Sequence, residues 1–141
     1  MAPSARLFAL LAALLLAAAT AIGAYTSHGL EGVLAPRDLA IVATAVQYQF
    51  YHGLGLLVVA LLADRLDGTA VRVAGGLMFG GALLFCGGIY ARHLLALEGA
   101  GAVAPIGGSA MIASWLVLAY AAVRAKSLAR RASGSAGAPL A

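Results

Sequence analysis

Apolar residues fall along this chain in four long runs, and every Asp, Glu, Lys and Arg lies outside them. The runs cover about Leu7 to Thr26, Leu39 to Ala63, Val73 to Tyr90 and Ala104 to Val123. A bilayer core about 30 Å thick takes roughly 20 residues of helix, so each run is long enough, the third only just. No apolar–polar alternation of period two, the mark of a membrane barrel, is present. Lipid offers no partners to backbone N–H and C=O groups, which makes helix the expected state. The pattern predicts an all-α integral membrane bundle of four transmembrane helices.

Composition supports this reading. Of 141 residues, 63% are hydrophobic and 10% charged, and the mean hydropathy is +0.98; water-soluble domains average about 25% charged residues. The formal net charge of +4 is spread over segment ends instead of forming a stripe, so nucleic acid is not an expected partner. Membrane lipids are, together with other membrane subunits or a second copy of the chain. Arg6, Arg65, Arg72, Arg124, Lys126, Arg130 and Arg131 fall on one side of the predicted bundle, against Arg37 and Arg92 on the other. By the positive-inside rule both termini are cytoplasmic, and the expected location is the bacterial cytoplasmic (inner) membrane. Residues 124–141 read as a basic, disordered tail. A competing reading of helix one is a signal peptide, with a basic start, an apolar run and Ala19-Thr20-Ala21 as cleavage site.

Polar residues within the runs are the candidates for function. "TAVQYQFYHGLGLL" (Thr44–Leu57) places Gln47, Tyr48, Gln49, Tyr51 and His52 deep in the second span. Polar groups there are costly unless paired, so they are expected to face the bundle interior. Two uses follow: an interhelical hydrogen-bond clamp, or a polar pocket lined by His28, Gln47, Tyr48, Gln49, His52 and Ser109. Small residues mark close helix approach: Gly76, Gly80 and Gly87 in helix three; Gly107, Gly108, Ala110, Ser114 and Ala121 in helix four; Ala13, Ala17 and Ala21 in helix one. No metal-ligand spacing, catalytic motif or phosphate-binding loop occurs, no acid lies within a span, and no metal or cofactor is expected. Cys86, alone of its kind, reads as a packing residue.

Four blocks together resemble a known family. "GAYTSHGL" carries Gly23-Ala24 and His28-Gly29-Leu30. The helix-two block matches at Thr44, Ala45, Val46, Tyr48, Gln49 and His52. "GALLFCGGIY" fills helix three, with Cys86 where the family pattern has serine, and "APIGGSAMIASWLVLA" carries Pro105, Gly107, Gly108 and Trp115. The arrangement resembles the bacterial inner-membrane family called domain of unknown function 423, with animal relatives named transmembrane protein 256. The resemblance implies a four-helix membrane protein that keeps helix one, and it implies no activity. At the outer face it brings the His28-Gly29 end of helix one near the Pro105 start of helix four, with Gly29 expected as a left-handed cap. The function read from the chain is a non-enzymatic accessory, assembly or lipid-interacting module. The alternatives are an oligomeric small-solute transporter or channel around His52 and, further off, a membrane enzyme or haem protein.

Overall fold

The computed structural model describes residues 2–65 and 68–135. Four helices form: α1 (Pro3–His28), α2 (Pro36–Arg65), α3 (Thr69–His93) and α4 (Ala104–Ser135), the last preceded by a short 3-10 turn at Ala100–Val103. There are no strands among the described residues, and all four helices are long and apolar enough to cross a membrane. Each helix outruns its expected limits, because charged and small residues at the ends continue the helix past the uncharged stretch. The largest departure is the tail. α4 continues unbroken to Ser135, whereas disorder was expected from residue 124; "AKSLARRAS" is rich in good helix formers. Residues 136–141 lie outside the described part. Pro3 and Pro36 open α1 and α2, where a missing N–H costs nothing. Pro105 sits in the first turn of α4, as expected.

The helices run alternately up and down. α2 and α3 form the centre, with α1 packed chiefly on α2 and α4 on α3. Half of the α2 span is buried, against 22% for α1 and for α4. Side chains turned inward repeat at three- and four-residue steps. In α1 they are Ala5, Phe8, Ala12, Leu15 and Ala19; in α4 they are Ala104, Gly107, Met111, Ser114, Leu118 and Ala121. That spacing is the seam of left-handed helix packing.

Close approach depends on glycine where α3 meets its neighbours. A β-carbon on Gly81 would lie 2.9 Å from the Gly107 carbonyl oxygen, and one on Gly88 2.9 Å from that of Ala100. On Gly75 it would strike the Phe8 ring at 2.5 Å. Gly76, Gly80 and Gly87, expected at this contact, instead look outward with nothing within 4 Å of a β-carbon. Each belongs to a Gly-Gly doublet whose other member, about 100° round the helix, faces the bundle. Ala13, Ala17 and Ala21 are likewise exposed, on the far side of α1 from its buried face. The helix-four expectation holds for Gly107 and Ser114, both buried, while a β-carbon on Gly108 would stand 3.7 Å from the Phe85 ring.

The connections on the His28 side are compact. Gly29 ends α1 in right-handed geometry (φ −100°) instead of the left-handed cap expected. Its lack of a side chain admits the Tyr25 ring, 2.7 Å from where a β-carbon would stand. The left-handed residues are Gly32, Ala96 and Gly99. His93 Nδ1 lies 3.3 Å from Asp38 Oδ1, tying the end of α3 to the first turn of α2.

Candidate functional site

Gln49 is 4% exposed and spans three helices. Its Nε2 donates to the Leu15 carbonyl of α1 at 2.9 Å, and its Oε1 accepts from the Tyr90 hydroxyl of α3 at 2.8 Å. A carbonyl can only accept, so the amide's orientation is fixed by its partners. His52, 5% exposed, is one turn further along the same face. Its Nδ1 lies 2.8 Å from the Tyr48 carbonyl, and its Nε2 lies 3.2 Å from the Trp115 indole nitrogen of α4. The carbonyl must accept and the indole must donate, so Nδ1 carries the proton and Nε2 is the acceptor. Both nitrogens of a neutral imidazole are thereby used. Neither keeps a lone pair for a haem iron or metal, and neither is free to take a substrate proton. Cys86 Sγ donates to the Ala45 carbonyl at 3.3 Å.

Together these groups form a polar brace: α2 bonded to α1 and α3 through Gln49, to α3 again through Cys86, and to α4 through His52. No buried side-chain nitrogen or oxygen among the described residues lacks a partner. The interhelical clamp expected from the sequence is present, built from Gln49 and His52.

The other candidates do not join it. Gln47 faces outward, on the side of α2 away from its neighbours, 200° round the helix from Gln49, while Tyr48, 100° round, is partly exposed with its ring against Phe85 of α3, 5.4 Å between centroids. Gln47 Nε2 donates to the Tyr51 hydroxyl at 2.8 Å. His28 is exposed at the end of α1, and Ser109, also exposed, bonds back to the Pro105 carbonyl at 3.0 Å. No hydrogen bond among the described residues links either to Gln49 or His52. Nor does any group of three His, Cys, Asp or Glu among the described residues lie close enough to hold a metal ion. Two brace members escaped sequence reasoning in this role. Tyr90 stands at a span end, where interfacial tyrosines are common, and Trp115 carried only a family match. The one available signal was that each presents a single donor, suited to the acceptors of Gln49 and His52.

A groove of about 320 Å³ opens between α1 and α3 toward the lipid side. Leu11, Leu14, Ala18, Phe79 and Leu83 line it, and Gln49 and Tyr90 contribute its polar atoms.

Fold and brace define a small bundle of four helices, each long and apolar enough to cross a membrane. Residues 22–108 match the family model described as "Protein of unknown function (DUF423)", and the chain belongs to that family. It is 43% identical over 120 residues to the UPF0382 membrane protein YwdK of Bacillus subtilis, covering 84% of this chain and 98% of that one. A UPF0382 membrane protein of Staphylococcus epidermidis is 40% identical, with 84% and 97% covered. One from Haemophilus influenzae is 36% identical, with 77% and 86% covered. No solved structure matches the chain.

Proposed function

We propose that this protein is a non-enzymatic module of the bacterial cytoplasmic membrane, an accessory, assembly or lipid-interacting protein with both termini in the cytoplasm. The observation that carries the reading is that His52 and Gln49, the buried polar side chains of the helix-two block, are held by structural hydrogen bonds: Gln49 to α1 and α3, and His52 to α4 and to the Tyr48 carbonyl of its own helix, which occupies both imidazole nitrogens. A catalytic or conducting site needs a group left over. The apolar groove between α1 and α3 supports the lipid-interacting form, since its lining suits a hydrocarbon chain. The arginine asymmetry supports the orientation. Helix α1 is retained in this reading: cleavage after Ala21 would remove Leu15, the acceptor for Gln49.

Purification from native membranes tests the proposal. The expected product has the intact mass of the chain with α1 included, carries phospholipid, and shows no haem absorption. Reporter fusions at the two ends are expected to be active only in the cytoplasm. A Soret band, solute flux in proteoliposomes that His52→Phe abolishes without unfolding, or termini on opposite sides would overturn it.

A further inference from the structure

The outward face of α2 differs in kind from those of the other helices. α1 presents Leu7, Leu10 and Leu14 to the lipid, and α4 presents Ile106, Ile112 and Leu116. Two hydroxyls exposed within those spans bond back to their own helix, Thr20 to the Leu16 carbonyl and Ser109 to that of Pro105, as Thr44 does to the Ala40 carbonyl on α2. The face of α2 carries Thr44, Gln47, Tyr51, Leu54, Val58 and Leu61 in one continuous stripe, with Tyr48 at its flank. Tyr51 is 51% exposed and Tyr48 41%.

These groups lie deep. At 1.5 Å per residue, Gln47 is about 16 Å from Pro36 and about 24 Å from Ala63, and Tyr51 is nearly midway. At that depth the hydrocarbon supplies no partner. Gln47 uses one N–H on the Tyr51 oxygen; the Gln47 carbonyl oxygen, the Tyr51 hydroxyl proton and the Tyr48 hydroxyl have no hydrogen-bond partner among the described residues. Leaving such groups unpaired in an apolar medium costs several kcal/mol each. Something with matching donors and acceptors must cover them.

We infer that this face is a homodimer interface, the occupant being a second copy of the same chain. The patch is complementary to itself. It offers hydroxyl and amide donors beside an amide acceptor, and copies inserted in the same orientation meet about a two-fold axis along the bilayer normal. Each residue then faces its own equivalent at the same depth. Gln47 of one copy meets Gln47 and Tyr51 of the other, supplying the missing bonds in both directions. A single polar residue in an apolar helix seam also fixes register. Leu54, Val58 and Leu61 continue the contact to the far end of α2. This inference is independent of the non-enzymatic reading.

Single-cysteine variants in a Cys86→Ser background test it, by disulfide cross-linking in native membranes. Thr44→Cys, Leu54→Cys and Val58→Cys are expected to give a product of twice the chain mass. Leu14→Cys and Ile112→Cys, on the lipid faces of α1 and α4, are expected to give none. Gln47→Leu, added to Leu54→Cys, is expected to weaken dimerisation about tenfold, since two symmetric bonds are lost. Trp115 emission checks that the fold persists, Gln47 being outside the brace. The inference is overturned by equal yields at seam and control positions, by products of another mass, or by Gln47→Leu leaving the yield unchanged.

Discussion

Replacing Gln49 by leucine, a side chain of similar volume, removes the brace at its centre without leaving a large void. Two interhelical bonds are lost, one to the Leu15 carbonyl and one from the Tyr90 hydroxyl. Interhelical hydrogen bonds in membrane proteins average about 0.6 kcal/mol and reach about 1.7, so Gln49→Leu should cost about 1–3 kcal/mol. Tyr90→Phe removes one of the two and should cost about 0.6 kcal/mol. In the Gln49→Leu background the Tyr90 hydroxyl is already without its partner, so Tyr90→Phe should there cost nothing or slightly stabilise. The double-mutant cycle therefore predicts a coupling of about 0.6 kcal/mol. Equilibrium unfolding by dodecyl sulfate in mixed micelles measures it, followed by the fluorescence of Trp115, the only tryptophan in the chain. A Tyr90→Phe cost that is the same in both backgrounds would refute the bond between the two residues. A Gln49→Leu protein as stable as wild type would refute the brace itself.

Two further outcomes follow from the same geometry. His52→Phe keeps an aromatic ring but removes the acceptor of the Trp115 indole N–H. Trp115 emission should move to shorter wavelength and stability should fall by about 0.6–1.7 kcal/mol; an unchanged spectrum would count against the contact. Gly107→Ala places a β-carbon 2.7 Å from the Gly81 carbonyl oxygen and should destabilise by about 1–3 kcal/mol through overpacking. Gly76→Ala meets nothing and should be neutral or stabilising by up to about 1 kcal/mol from helix propensity. Thermal unfolding of the pair in detergent decides, and equal effects would contradict the assigned faces.

The four crossings were legible because lipid makes one demand, length of uncharged helix, and Leu7–Thr26, Leu39–Ala63 and their counterparts meet it openly. Which side of each helix faces inward was not. A soluble helix advertises its buried face by contrast with a polar one, but α3 is apolar or glycine almost throughout. Its doublets Gly75-Gly76, Gly80-Gly81 and Gly87-Gly88 offer two faces about 100° apart. The four-residue step from Gly76 to Gly80 suggested one of them; packing on Phe8, Met111 and Val103 uses the other. The polar block gave a divided answer for a related reason. Neighbouring residues cannot all face inward, so Gln49 and His52 turn in while Gln47 and Tyr51 turn out. The chain shows their spacing but not which set the partners occupy. Tyr90 stayed hidden because a tyrosine near a span end suits the membrane interface equally well, and Trp115, in the middle of its span, because a large aromatic body fits a packing position without a hydrogen bond.

The brace also has a direction. The three brace bonds between α2 and the second half of the chain run the same way. Tyr90, Cys86 and Trp115 bring protons, and Gln49, Ala45 and His52 receive them. The α1–α2 hairpin has its own link, Gln49 to Leu15, and turns a row of sockets toward the other half. The α3–α4 hairpin carries only plugs. In this row each half supplies what the other lacks, so the wiring favours one half of each kind.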